Sequence, residues 1–185
     1  MSKIFVSGAT GFIGQQLLAR LKEQDTRLKV LTRSSHSEYE AVVCDLASED
    51  IPEDALDGVD TVFHLAGYAH DLRDSGRLER VYRSINVDAT VHLARLAVQS
   101  GVKRFVFVSS VKAGGSAVVG HCMSEEDQGE PEDIYGKTKR EAEIRLLEIG
   151  RHSGMHVSIM RPSLVYGPGV KGNLRLMQVG IRAFS

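Results

Sequence analysis

Short apolar runs alternate along the chain with longer segments whose apolar residues recur every three or four positions. Ile4-Phe5-Val6 predicts a buried strand, and Ile13, Leu17, Leu18 and Leu21 then mark one face of a helix. Leu28 to Leu31, Ala41 to Cys44 and Val59 to Leu65 predict three more strands, and Arg104 to Val108 a fifth. Val87, Val91, Leu93, Ala94 and Ala97 keep helical spacing between the last two. A further helix is expected from about Ile134 to Ile149, with Ala142, Leu146 and Ile149 inward, and Val157 to Met160 is the sixth strand. Strands separated by helices imply right-handed crossovers and a mostly parallel sheet covered on both faces, an α/β doubly wound fold. Gly114 to Pro131 is the main irregular stretch, rich in glycine and acidic residues. A loop of that length is commonly functional.

Between the first strand and the first helix lies Val6-Ser7-Gly8-Ala9-Thr10-Gly11-Phe12-Ile13-Gly14. Glycine removes the Cβ atoms that would hold a pyrophosphate off the backbone, and a helix start offers unpaired N–H groups and positive potential. Gly8, Thr10, Gly11, Phe12, Ile13 and Gly14 are therefore a candidate cradle for a dinucleotide, the alternative being a tight strand-to-helix turn. The second strand ends at Thr32-Arg33, where NAD-selective sites commonly carry an acidic residue for the ribose hydroxyls. Arg33 can pair with a 2′-phosphate, which favours NADP slightly over NAD; an exposed strand-end arginine is the alternative. Asp45, just past the third strand, is placed for the adenine edge or for capping the next segment.

Composition and charge narrow the partners. Over 185 residues, 23 Lys and Arg face 24 Asp and Glu, a balance that argues for neither nucleic acid nor an anionic membrane. The apolar runs are too short to span a bilayer, and no leader precedes the first strand. Two cysteines, Cys44 and Cys122, form no ligand-spaced pair, and His121 beside Cys122 reads as loop. No metal is expected, and a reducing cytoplasm fits.

Tyr135 and Lys139 open the last long helix four residues apart, so phenol and ammonium share a face. A lysine cation, together with the positive nicotinamide, would favour the phenolate and let Tyr135 exchange a proton with a hydroxyl or ketone. Ser110, ending the fifth strand, lies at the sheet's carboxyl edge, where its hydroxyl can reach the same oxygen or cap a turn.

These pieces together resemble the extended short-chain dehydrogenase/reductases, the NAD-dependent epimerase/dehydratase family acting on nucleotide sugars. The matching residues are Gly8, Gly11 and Gly14, Asp45-Leu46, His64-Leu65-Ala66-Gly67, Asn86-Val87, Val108-Ser109-Ser110, Tyr135 with Lys139, and Arg161 to Gly169, in family order. The resemblance implies the sheet order 3-2-1-4-5-6, Tyr135 as acid/base, Lys139 as its electrostatic partner and ribose ligand, and Ser110 as binder of the substrate oxygen. Asp45, Leu46, Leu65, Ala66 and Gly67 would line the cofactor. A narrower similarity, through Phe105 to Lys112 and Tyr166 to Asn173, is to bacterial O-antigen enzymes that oxidise or reduce C4 of UDP-linked 6-deoxy sugars. It makes Lys112 and Asn173 candidate substrate contacts, a surface lysine and a helix cap being the alternatives.

The expected activity is hydride transfer at C4 of a UDP-sugar with NAD(P), as 4-ketoreductase/dehydrogenase or as an epimerase resembling UDP-glucose 4-epimerase. The alternatives are a non-catalytic NAD(P)-sensing module and an inactive truncated product. Residues 1–170 are expected to form the cofactor domain and 171–185 the start of a substrate-binding region that family members continue. The cofactor half is thus nearly complete and the substrate half almost absent. A homodimer is left open.

Overall fold

The computed structural model describes residues 1–69, 76–116, 120, 122, 124–126 and 128–170. His121, Asn173 and the apolar segment from Leu174 to Ser185 lie outside the described residues. Six strands form one sheet: β1 (Ser2–Ser7), β2 (Thr26–Thr32), β3 (Glu40–Val43), β4 (Thr61–His64), β5 (Arg104–Val108) and β6 (His156–Met160). Every pairing is parallel and the order is β3-β2-β1-β4-β5-β6, as the family resemblance implied. The helices are α1 (Phe12–Lys22), α2 (Gly76–Arg83), α3 (Ala89–Gln99) and α4 (Ile134–Ser153).

Alternation along the strands divides the core in two. Phe5, Leu31, Val62, Phe105 and Phe107 pack against Leu93, Ala94 and Ala97 of α3 and Ala142 and Leu146 of α4. On the opposite face Ile4, Val6 and Val30 pack against Leu18 and Leu21 of α1. Central strands covered on both sides need nearly continuous apolar side chains, and β1 is buried at Ile4, Phe5 and Val6 alike.

Boundaries differ from expectation in instructive places. β4 starts at Thr61 because Val59 lies in a turn, its N–H donating to the Leu56 carbonyl. α4 continues past Ile149 to Ser153 through an exposed polar turn, where Arg151 and His152 suit the negative helix end, and Gly154 (φ +75°) terminates it. α2 was not expected, and a π-helical turn, Ser84–Asp88, joins it to α3. The change of sheet order between β1 and β4 places the carboxyl ends of β1, β4 and β5 around one crevice, where ligands of open α/β sheets bind.

Candidate active site

The turn after β1 shows three glycines with three different needs. Gly8 has φ +71°, and a Cβ there would stand 2.6 Å from the Ala66 nitrogen and 2.7 Å from the Leu65 carbonyl carbon. Its bare backbone lets the turn close against the end of β4. At Gly14 a Cβ would meet the Gly8 oxygen at 2.2 Å, so helix and turn can pack only without one. Gly11 differs: its Cβ would meet only the Gly8 oxygen, at 3.1 Å. The fold itself thus opposes a side chain least at Gly11, the N-cap of α1. No side chain caps this helix start and no acidic residue lies in its first turn. The amides of Phe12, Ile13 and Gly14 precede the first intrahelical bond, from Gln15 N–H to the Gly11 carbonyl. Free amides, positive helix potential and an open Gly11 fit a pyrophosphate.

Arg33 is exposed just beyond β2, while the Thr32 hydroxyl donates to the Ser34 carbonyl (2.6 Å). Asp45 caps its own loop: its carboxylate accepts from Ala47 N–H (3.0 Å), and its N–H donates to Glu49 (2.6 Å). Asp45 is half-buried beside Leu46. Leu46 packs on the larger core cluster, Leu65 on the smaller, and Leu65 N–H continues the β1–β4 ladder to the Ser7 carbonyl (3.1 Å).

Ser110, Tyr135 and Lys139 converge at the carboxyl edge of β5. Ser110 leaves the strand extended (φ −158°, ψ 151°), and its hydroxyl lies near enough to the Tyr135 phenol to favour the phenolate. Burial pushes the Tyr135 phenol above its ordinary pKa, while the nearby Ser110 hydroxyl and the Lys112 charge pull it back. The Lys112 charge thus bears on the phenol, whereas the resemblance gives the electrostatic role to Lys139. Lys112 itself is paired with Asp133 (2.5 Å). Lys139 is buried, donates to the Val108 carbonyl (3.0 Å) and lies 4.5 Å above the Phe107 ring. Burial lowers its pKa to about 8, against the raising influence of Glu143. A Cβ on Gly67 would lie 3.1 Å from the Lys139 ammonium, so a glycine-bare stretch of backbone runs directly past it.

Several supporting residues were quoted only as parts of motifs or not at all. Asn86, on the π-helical turn, accepts from Tyr68 N–H (2.7 Å), donates to the Tyr68 carbonyl (3.1 Å) and donates to Thr138 (3.1 Å). It ties the backbone after Gly67 to α4, and π turns commonly mark such functional positions. His64 is buried between the hydroxyls of Ser7 (2.5 Å) and Thr90 (2.8 Å), and Ser7 also accepts from Ala66 N–H (3.4 Å). The Tyr82 ring packs edge-on against both Tyr68 (4.9 Å) and Tyr135 (6.5 Å). Arg161 grips the buried Glu143 carboxylate through Nε and Nη2, joining the end of β6 to α4. The helical period at Tyr135, Lys139 and Glu143 was the available signal for that last pair.

A doubly wound sheet with a glycine turn at its first crossover and a Ser-Tyr-Lys group at its carboxyl edge defines the short-chain dehydrogenase/reductase class. Within it, the chain belongs to the NAD dependent epimerase/dehydratase family, whose model matches residues 4–184. It is 37% identical over 188 residues to a UDP-glucose 4-epimerase of Vibrio cholerae, covering 96% of this chain and 57% of that protein. It is 30% identical to a 3-beta-hydroxysteroid dehydrogenase of Mycolicibacterium neoaurum, covering 91% of this chain and 49% of that one. Among solved structures, MoeE5 in complex with UDP-glucose and NAD superposes with TM-score 0.83 at 33% identity, over 98% of this chain and 60% of its own. The chain thus spans about half to three fifths of the length of these relatives.

Proposed function

We propose that the chain carries the cofactor-binding and proton-transfer part of an enzyme that moves hydride at C4 of a UDP-sugar, by oxidoreduction or within a 4-epimerase cycle. The observation that carries this reading is the gathering of Ser110 and Tyr135 at the carboxyl edge of β5, with Lys139 buried one helical turn away and bonded to the Val108 carbonyl. The relatives that bind or act on UDP-glucose support the substrate class.

The residues suit a dinucleotide. Phe12, Ile13 and Gly14 amides would hold the pyrophosphate beside Gly11, with Thr10 at its edge, and Leu46, Leu65, Ala66 and Gly67 would line its path. The Lys139 ammonium, bonded to Val108 and flanked by Gly67, would reach the ribose. Bound nicotinamide supplies a hydride acceptor and donor. The chain's part is the proton: Tyr135 takes it from, or returns it to, the sugar oxygen, and Ser110 orients that oxygen. Arg33 favours NADP through a charge-assisted bond to the 2′-phosphate. Lys112, already paired with Asp133, would meet the sugar through that pair, and Asn173 is proposed near the diphosphate. The free cysteines, Cys44 buried and Cys122 exposed, suit a reducing cytoplasm.

Positioning accounts for much of such a rate, and the relatives carry a further two fifths or more of chain. The test fuses the matching remainder of the Vibrio cholerae relative to this chain and follows nicotinamide absorbance with a UDP-4-keto sugar, and C4 interconversion of UDP-hexoses. The extended protein should turn over at least tenfold faster than the 185-residue chain, and Tyr135→Phe should remove most of that rate while cofactor still binds. Full activity of the Tyr135→Phe form would overturn the assignment. Turnover of a 3β-hydroxysteroid in place of UDP-sugars would overturn the substrate class.

A further inference from the structure

We propose that Lys112 and Asp133 are positioning residues for Tyr135, an ion pair that holds the Ser110–Tyr135 contact and sets two opposed charges beside the phenol. The proposal rests on Tyr135 as the proton carrier. Five neighbouring residues are tied together. Lys112 N–H donates to the Ser110 hydroxyl (3.3 Å), and the Lys112 ammonium donates to one Asp133 carboxylate oxygen (2.5 Å). The other Asp133 oxygen accepts from Gly136 N–H (2.7 Å), capping α4 one turn before Lys139. Gly136 lies so close to the Lys112 carbonyl that a Cβ there would stand 2.6 Å from its oxygen. Tyr135, beside Gly136, brings its phenol near the Ser110 hydroxyl.

The groups facing Tyr135 come from three elements. The turn after β5 supplies Ser110 and Lys112, α2 supplies Tyr82, and Asp133 stands at the start of α4. Of these, the Lys112 charge favours the phenolate, whereas Asp133 and Tyr82 oppose it. Pairing keeps Asp133 ionised: burial alone would raise its pKa, but the Lys112 bond and the Gly136 amide outweigh burial and hold it below the usual range. The Asp133 bond in turn raises the Lys112 pKa, so the pair stays charged through neutral pH. The two partners therefore act on the phenol with opposite signs while acting on the backbone together.

That opposition makes the proposal separable from a purely structural role. Lys112→Met leaves Asp133 unbalanced, and Tyr135 should titrate about half a pH unit higher. Asp133→Asn keeps an amide oxygen to accept from Gly136 N–H, leaves Lys112 unbalanced, and should lower the Tyr135 midpoint by a similar amount. The double variant should return close to the parent value. The readout is tyrosinate ultraviolet absorbance of the 185-residue chain against pH, with the matching Tyr135→Phe protein subtracted to remove the other four of the five tyrosines. Circular dichroism at each pH keeps the comparison to folded protein. Shifts of the same sign in both single variants, no shift in either, or ionisation of Tyr135 only on unfolding would each overturn the proposal. The titration needs neither cofactor nor sugar, so its failure leaves the proposed reaction standing.

Discussion

His64 is fully buried on the edge of the site, stacked 5.6 Å from Phe107, and burial with the nearby Lys139 charge lowers its pKa to about 3. The unfolded chain would take up that proton near the ordinary value of 6.5, so between the two values the unfolded state binds more protons. The stability His64 contributes is therefore complete above about pH 6.5 and is lost as the pH falls toward 3, with a ceiling on the order of 5 kcal/mol. His64→Gln should flatten the acid limb of stability, as read from urea midpoints between about pH 4 and 7. Parallel slopes for variant and parent would show that another group sets it. At the ribose end, Arg33→Asp should shift the NADP/NAD affinity ratio toward NAD by roughly tenfold or more in paired titrations, through loss of one charge-assisted bond and a new repulsion. An unchanged ratio would leave Arg33 an idle surface charge. Single residues were legible in the sequence where a motif fixed their place on an element, as for Gly8, Gly14, Ser110 and Tyr135. The Lys112 charge beside Tyr135 was not, because Lys112 is set by Asp133, 21 residues away, and no local spacing reports that pair.

α4 is the element on which the site hangs. Its start is capped by Asp133 and pressed on the Lys112 backbone, its third and fourth turns pack Ala142 and Leu146 into the core, and Glu143 between them takes Arg161 from the end of β6. Glu143 is only 3% exposed, so losing Arg161 would strand a carboxylate next to Lys139. Arg161→Met should cost roughly 3–5 kcal/mol of unfolding free energy, and adding Glu143→Met should restore much of it. A single-variant loss below about 1 kcal/mol in urea denaturation would mean the pair is solvated and unimportant. The strands were readable because sheets buried on both faces demand unbroken apolar runs. α2 was not, since Gly76-Arg-Leu-Glu-Arg-Val-Tyr-Arg83 carries few apolar residues and buries Tyr82 against two aromatic rings. The π-helical turn was equally hidden: it shifts the helical phase locally, so that Asn86 reaches both Tyr68 and Thr138.

Across the whole molecule, the described residues assemble into one six-stranded parallel sheet with a core layer on each face, and the turn after β1 meets the end of β4. No helix among the described residues is long and apolar enough to cross a membrane. Sheet order came from family resemblance, not from periodicity, which fixes which faces are apolar but says little about which strands are neighbours. The proposed function stands most directly on dinucleotide binding at the first turn, where Gly11 is the glycine that the protein's own packing least requires. Calorimetric titration of NAD and NADP into the parent chain and into Gly11→Val tests it. The parent should bind with one site per chain, while Gly11→Val stays folded by circular dichroism and loses affinity for both nucleotides at least tenfold, because its branched side chain fills the pyrophosphate's place. Equal affinities in the two folded proteins would contradict the assignment of the turn and, with it, the placement of the cofactor.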